Sequence, residues 1–177
     1  MLKSSVALIG FMGTGKTTVG RLLVKKLEGE YQFIEMDQLI EEMAGKPIPE
    51  IFSQDGEEVF RDHEIKACQK VSTLKKVVIS CGGGAVLNKK NVENLKKNST
   101  IILLESTIET ILERILKDGV QLRPVIDKED PIKEVKKLFY LRNPQYKSVT
   151  DIIIDTENKD ESVIVDEIIQ KLKIEKD

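Results

Sequence analysis

The nine residues at positions 10–18, GFMGTGKTT, constrain the fold of this chain more than any other segment. They fit the pattern G-x-x-x-x-G-K-[ST] without a mismatch. The apolar run at 6–9 predicts a buried strand before the motif, and the apolar spacing over 19–27 predicts a helix after it. Strand, glycine-rich turn and helix in this order are typical of a phosphate-binding loop. The sequence therefore predicts an α/β fold that binds an anion where its first strand ends.

The residue types of the motif fit the binding of a nucleoside triphosphate. Glycines let the backbone bend around an anion, so that amide groups of the loop and of the following helix point at it. Lys16 is expected to reach the β- and γ-phosphates, and the Thr17 hydroxyl is expected to ligate Mg²⁺. The predicted nucleotide contacts in the loop are Gly13, Thr14, Gly15, Lys16, Thr17 and Thr18.

Short apolar segments alternate with helical patterns along the rest of the chain. This alternation predicts a three-layer α/β/α architecture around a five-stranded parallel sheet, in which ligands bind beyond the carboxyl ends of the strands. The predicted strands are 6–9, 31–36, 77–80, 100–104 and 151–154. The predicted helices are 19–27, 38–44, 49–52, 55–71, 88–97, 107–117, 132–142 and 162–174.

Three local features extend this prediction. Asp37 directly follows the second strand and is expected to cap the helix after it. The stripe Val59/Phe60, His63, Ala67/Cys68 and Val71 has helical spacing, which predicts the helix at 55–71. The polar segment around 118–131 lacks periodicity, which is typical of a lid or binding loop.

Length and composition limit the class of protein. A chain of 177 residues predicts a single domain, 1–177. A net charge of −2 does not favour a nucleic-acid partner, and no apolar run suits a membrane span. The first residues leave no room for a signal peptide before the first strand. Cys68 and Cys81 are expected to be reduced thiols, which favours a cytoplasmic location.

A phosphate loop alone does not separate a GTPase, an ATPase motor and a small-molecule kinase. The chain has no N-K-x-D run for a guanine base, and its third strand ends in Ser80-Cys81-Gly82 rather than in an acidic pair. Over nearly its whole length the chain resembles the shikimate kinases, in the nucleoside-monophosphate-kinase-like group of P-loop kinases. The motifs that carry the resemblance are GFMGTGKTTVGR at 10–21, Asp37, Ile51-Phe52, Asp55-Gly56-Glu57, Phe60-Arg61, SCGGGAV at 80–86, Leu122-Arg123-Pro124 and RNPQY at 142–146.

The resemblance implies transfer of the γ-phosphoryl of ATP to the 3-hydroxyl of shikimate, with Mg²⁺. It implies that Arg61 and Arg142 grip the substrate carboxylate, for which the planar fork of arginine is suited. Asp37 would bind the ring hydroxyls and orient the one that attacks. The implied substrate contacts also include the turn Gly82, Gly83 and Gly84, and the implied catalytic residues are Lys16, Asp37 and Arg123.

The resemblance also implies contacts to the nucleotide and the metal, with departures from the family pattern. Arg123 would close onto the ATP phosphates from a mobile lid at about 115–131, and a substrate-binding region would cover about 37–65. Glu35 stands where the family commonly has a metal-binding aspartate. Lys159 stands where it often has an arginine beside adenine, and Arg114 matches the family's nucleotide-binding arginine only weakly. The family leans towards monomers.

Two alternatives remain open at this point. Another small-molecule kinase, gluconate- or nucleotide-kinase-like, would share residues 13–18 and the lid. A kinase-like protein that binds nucleotide or a partner without turnover would share the fold. The joint presence of Arg61, the triplet 82–84 and Arg142 disfavours the first alternative. The second is disfavoured by a complete set of expected site residues, namely Lys16, Thr17, Asp37, Arg61, Arg123 and Arg142.

Overall fold

Five parallel strands form the centre of the molecule. In the computed structural model, the described residues are 4–27, 30–117 and 130–172. The sheet has the order β2-β3-β1-β4-β5. Its strands are β1 (Ser5–Ile9), β2 (Gln32–Glu35), β3 (Val77–Ser80), β4 (Ser99–Glu105) and β5 (Ile152–Asp155). The predicted five-stranded parallel sheet is confirmed.

Helices connect the strands and cover the sheet. They are α1 (Lys16–Lys26), α2 (Met36–Ala44), α3 (Ile48–Glu50), α4 (Glu57–Val71), α5 (Lys89–Asn98), α6 (Ile108–Lys117), α7 (Pro131–Val149) and α8 (Glu161–Leu172). A π-helical turn, Ile51–Asp55, continues α3, and a 3₁₀ turn, Ala85–Leu87, precedes α5. No helix within the described ranges is both long and apolar enough to cross a membrane.

The side chains of β1 alternate between two apolar cores, one on each face of the sheet. Ala7 and Ile9 belong to the core covered by α2, α4, α5 and α7, whereas Val6 and Leu8 belong to the core under α1 and α8. Burial on both faces explains why the strands are continuous apolar runs rather than alternating ones. The predicted three-layer arrangement is therefore confirmed.

The strand order fixes the position of the ligand crevice. β1 pairs with β3 on one side and with β4 on the other, so the connections from these strands leave in opposite directions. A crevice opens at such a switch point, beyond the carboxyl ends of the strands. The loop at 10–15 and the segment after Ser80 both lie there.

Several predicted boundaries are wrong. α2 begins at Met36, so Asp37 lies inside its first turn and does not cap it with its side chain. α7 runs through Pro144 to Val149 instead of ending at Arg142. Proline removes the hydrogen bond to the carbonyl four residues earlier, that of Tyr140. Both Pro144 and Tyr140 lie on the exposed face, where water can satisfy that carbonyl.

Candidate active site

The loop between β1 and α1 adopts backbone conformations and close contacts that require glycine. Gly13 and Gly15 have φ values of +75° and +86°, which side chains other than glycine rarely adopt. A Cβ on Gly10 would lie 2.5 Å from the carbonyl oxygen of Leu104. Since Gly15 precedes α1 and offers no capping side chain, the amide groups of the first helical turn remain available for an anion.

Two polar side chains at this loop donate hydrogen bonds to its backbone carbonyl groups. Lys16 Nζ donates to the carbonyl oxygens of Gly10 at 2.9 Å and Phe11 at 2.8 Å. Thr14 is buried and its hydroxyl donates to the same Phe11 oxygen at 2.8 Å. The side chain of Thr14 thus supports the loop, and its predicted nucleotide contact is restricted to its backbone amide.

Thr17 and Glu35, the two predicted metal ligands, lie side by side. The Thr17 hydroxyl donates to Glu35 Oε2 at 2.7 Å and lies 3.4 Å from the Ser80 hydroxyl. Mg²⁺ prefers oxygen ligands and usually retains several waters beside one or two protein groups. The described residues contain no group of three or more His, Cys, Asp or Glu side chains that could hold a metal. This oxygen pair therefore fits an ion completed by phosphate oxygens and water.

The triplet Gly82–Gly84 lies where the predicted acceptor-binding side chains meet. A Cβ on Gly82 would lie 2.8 Å from Asp37 Oδ1, and one on Gly84 would lie 2.9 Å from Arg61 Nη1. A Cβ on Gly83 would be 3.8 Å from Arg142 Nη1 and 3.9 Å from the carbonyl oxygen of Gly10. The structure thus brings three distant side chains together around one turn that also borders the phosphate loop.

The two arginines at this turn differ in their partners. Arg61 pairs with Glu57 at 2.9 Å and with Glu64 at 3.2 Å. Burial opposes the charge of Arg61, but Glu64 and Glu57 outweigh burial and raise its pKa above the ordinary value. Within the described part of the chain, Arg142 has no ion pair, and its buried Nε has no hydrogen-bond partner. Arg142 therefore offers the less neutralised cation to an anionic ligand.

Glu64 is a functional candidate that the sequence analysis missed. Its side chain is 3% exposed and accepts hydrogen bonds from Arg61 and, at 3.2 Å, from the buried Asn91. Burial raises the pKa of Glu64 and nearby Asp37 adds to this, while Arg61 and Asn91 oppose it. Its spacing of three residues from Arg61 was the available signal, because such residues share one face of a helix.

The stripe that predicted α4 is not buried along its whole length. His63 is only half-buried and Val59 is exposed, whereas Glu64 lies in the interior between Phe60 and Ala67. Periodicity alone favoured apolar residues and could not anticipate a buried carboxylate that is stabilised by an arginine and an amide.

The far wall of the nucleotide cleft carries Arg114 and Lys159. Arg114 donates to the carbonyl oxygens of Gly13 at 3.2 Å and Thr156 at 3.3 Å. Lys159 pairs with Glu167 at 2.8 Å, and the hydrogen bond from this contact raises the pKa of Lys159. Both side chains line a cleft of about 550 Å³ together with the phosphate loop and Glu35.

Known proteins are similar to this chain in sequence and in fold. The sequence model described as shikimate kinase matches residues 12–173. A protein named shikimate kinase from Hahella chejuensis is 40% identical over 171 residues, which cover 97% of this chain and 87% of the relative. This chain belongs to the shikimate kinase family. As a member of that family, it is an ATP-dependent kinase.

Two further shikimate kinases agree with this assignment. The one from Caldanaerobacter subterraneus is 43% identical over 166 residues, or 94% of each chain. The solved structure of a shikimate kinase from Acinetobacter baumannii, in complex with shikimate, matches with a TM-score of 0.88 at 32% identity. That match covers 97% of this chain and 93% of the other.

Two of the predicted site residues need separate mention, because one departs from the expected residue type and the other lies outside the described residues. Glu35 keeps a carboxylate beside Thr17 although its side chain is longer than that of the family's usual aspartate. Arg123, the predicted lid arginine, lies outside the described residues, as does most of the predicted lid at 115–131. The roles of both remain predictions.

Proposed function

We propose that this kinase transfers the γ-phosphoryl group of ATP to the 3-hydroxyl of shikimate, giving shikimate 3-phosphate and ADP. The proposal rests on one observation: Asp37, Arg61 and Arg142 lie around a single glycine turn. The same turn borders the carbonyl of Gly10, which accepts a hydrogen bond from Lys16. The loop proposed to hold the phosphoryl donor therefore adjoins the side chains proposed to hold the phosphoryl acceptor.

The chemistry of the acceptor fits the side chains around the turn. Shikimate is a carboxylate with three hydroxyls, and it therefore needs cations at one end and a hydrogen-bond acceptor at the other. Arg142 and Arg61 supply the cations, and fixed arginines hold a carboxylate in one orientation. Asp37 accepts a hydrogen bond from the 3-hydroxyl and takes its proton as the oxygen attacks phosphorus.

The donor side is held by the phosphate loop. Its amide groups and Lys16 bind the β- and γ-phosphates and stabilise the charge that develops on the transferring group. We propose Thr17 and Glu35 as the groups that hold Mg²⁺. The bound ion would neutralise phosphate charge. Arg114 supports the loop through the carbonyl of Gly13.

The remaining proposals follow from the same assignment. Residues 1–177 form one domain, with a substrate-binding region at about 37–65 and a lid at about 115–131 from which Arg123 reaches the phosphates. The enzyme acts as a cytoplasmic monomer without a nucleic-acid or membrane partner. The buried, unpaired Cys68 and Cys81 are consistent with a reducing compartment.

A coupled assay of ADP release tests the proposed acceptor. The enzyme is given ATP and Mg²⁺ with shikimate, with gluconate, with a nucleoside monophosphate, or with no acceptor. Of the three acceptors, we expect only shikimate to raise ADP release above the level measured without an acceptor. Release that depends on gluconate or on the nucleotide would establish the rival kinase activity. Nucleotide binding without any turnover would support the non-catalytic alternative.

Asp37→Asn tests the role of the aspartate. The substitution keeps the shape of the side chain but removes the charge that accepts a proton, so we expect turnover to fall by about 10²–10⁴-fold. ADP affinity, measured by titration, should stay within about twofold because Asp37 contacts the acceptor side. Near-normal turnover would show that Asp37 is a structural residue only.

A further inference from the structure

The carboxylate of Glu157 lies against the first turn of α6, the helix that carries Arg114. It accepts hydrogen bonds from the Ser106 hydroxyl at 2.5 Å, the Thr107 amide at 2.6 Å and the Thr110 hydroxyl at 2.9 Å. The hydrogen bond from Ser106 contributes most, and together these hydrogen bonds lower the pKa of Glu157 to about 2. Three donors converge on one carboxylate, and the helix dipole favours a negative charge at this end.

The loop that holds Glu157 is tied to its surroundings at a second point. Thr156 is buried, and its amide and hydroxyl donate to the carbonyl oxygen of Glu105 at 2.9 and 3.0 Å. Its own carbonyl accepts from Arg114, whose other nitrogen donates to Gly13 in the phosphate loop. The start of α6, the loop after β5 and the phosphate loop are thus connected through hydrogen bonds.

α6 also packs directly on the phosphate loop. A Cβ on Gly13 would lie 3.5 Å from both the Ile111 carbonyl oxygen and the Ile115 side chain. Any shift of α6 against the loop after β5 would therefore move the wall on which the phosphate loop rests. Arg114 and Lys159 line the nucleotide cleft, whereas Glu157 is not among its lining residues. The role that we consider for Glu157 is therefore one exerted through the groups that it holds.

We propose that Glu157 is a positioning residue for the nucleotide, which locks the loop after β5 onto α6 so that Arg114 braces the phosphate loop. The inference rests on the proposed function only in taking ATP as the ligand of the cleft. The acceptor side is built from α2, α4, α7 and the glycine turn, and none of these elements contacts Glu157 through a hydrogen bond. Loss of Glu157 should therefore affect the nucleotide and spare the acceptor.

Glu157→Ala tests this separation. Loss of a charged hydrogen-bonded clamp should weaken ADP binding about tenfold, measured by calorimetric titration without acceptor, and raise the KM for ATP similarly. The KM for shikimate and the turnover at saturating ATP should stay within about twofold. Glu157→Gln, which keeps the shape and one acceptor oxygen, should recover part of the affinity. Glu109→Gln is the matched control, since Glu109 is exposed in the same turn of α6.

A double variant tests the route through Arg114. Because Glu157 acts by placing the Thr156 carbonyl and α6, Arg114→Ala should cost less ADP affinity in the Glu157→Ala background than in the parent. Additive losses would contradict this route. Should Glu157→Ala fail to fold, Thr110→Val removes one donor at nearly constant shape and should weaken ADP binding about twofold to threefold.

Two results would overturn the proposal. One is unchanged ADP affinity in Glu157→Ala, or in Thr110→Val if that variant replaces it, together with a lower melting temperature. The other is an equal rise in both KM values. Because the ADP titration contains no acceptor, its outcome is independent of the acceptor's identity. Absence of shikimate-dependent turnover in the parent enzyme would reject the proposed function and leave this test valid.

Discussion

Gly82 and Gly84 are two glycines of one turn that face different charged side chains. A Cβ would lie 2.8 Å from the Asp37 carboxylate at position 82 and 2.9 Å from the Arg61 guanidinium at position 84. Side-chain carbons rarely approach other atoms so closely, so an added methyl group must displace its neighbour. Neither glycine has a positive φ, and alanine is compatible with the backbone at both positions. The turn therefore needs glycine for close approach.

The paired variants Gly82→Ala and Gly84→Ala should give different kinetic defects from the same chemical change. Displacing Asp37 should mainly lower kcat, while displacing Arg61 should mainly raise the KM for shikimate. We expect each effect to be about tenfold or more, since small misplacements at a reacting centre are costly. Steady-state kinetics of both variants provide the comparison. Identical changes in kcat and KM would argue against separate roles for the two neighbours.

Arg142 should contribute more to acceptor binding than a surface cation does. Among the residues that the structure describes, its buried Nε has no hydrogen-bond partner, so we expect a substrate carboxylate to meet a poorly compensated charge. Arg142→Ala should raise the KM for shikimate about 10- to 100-fold, with a much smaller effect on the KM for ATP. Lys136→Ala, on the exposed face of the same helix, is the control. A comparable rise in both constants would exclude a specific carboxylate contact.

At the scale of elements, the sequence predicts strands better than it predicts the ends of helices. β3 has the predicted bounds, because a fully buried run of β-branched residues leaves few alternatives. α7 was predicted to end at Arg142, but it continues through Pro144, although a proline within a helix normally terminates it. The helix can continue because Pro144 lies on its solvent-facing side. Which side of a helix faces solvent is set by the tertiary structure, and local sequence does not reveal it.

Prediction of the site from the sequence is limited in the same way. Lys16, Thr17 and the glycine turn were predicted from motifs, and in the structure Arg61 and Arg142 lie at that turn. Glu64 was missed because its burial depends on Arg61 and on Asn91, which belongs to another helix. The hydrogen bond from Asn91 joins two helices, and such a contact is not visible before the fold brings α4 and α5 together.

The clamp between α6 and the loop after β5 should make acid stability depend on Glu157. Its pKa falls from an ordinary value of 4.5 to about 2 in the folded protein. A carboxyl group with a lowered folded pKa adds stability above its unfolded pKa, and this contribution is lost as the pH falls through the folded value. Between about pH 4.5 and pH 2, Glu157→Gln should therefore lose less thermal stability than the parent. Melting curves across this range provide the measurement, and parallel losses would contradict the clamp.

At the scale of the whole molecule, the site depends on the sheet. β1 stands at the centre and leads into the phosphate loop, while β3 next to it leads into the glycine turn. α2, α4 and α7, which supply Asp37, Arg61 and Arg142, all pack on one face of that sheet. The apolar core therefore sets the distance between the phosphate donor and the acceptor.

Truncation of a buried residue of β1 should measure how much the core of the sheet contributes to the stability of the fold. Leu8 is 0% exposed and lies in the core under α1 and α8. Leu8→Ala should lower the free energy of unfolding by about 2.7–5 kcal/mol, the range for buried leucines. Val163→Ala, at a position 51% exposed, should change it by less than about 0.5 kcal/mol. Denaturant titration supplies both values, and similar values for the two variants would contradict the assignment of Leu8 to the core.

Product analysis tests the central claim most directly. The enzyme is incubated with ATP, Mg²⁺ and shikimate, and the mixture is followed by phosphorus NMR with proton coupling. We predict one new phosphomonoester signal that couples to the proton on C3 and grows in step with ADP. Free phosphate with unchanged shikimate, or a phosphoryl group on another hydroxyl, would contradict the arrangement of Asp37, Arg61 and Arg142 proposed for this site.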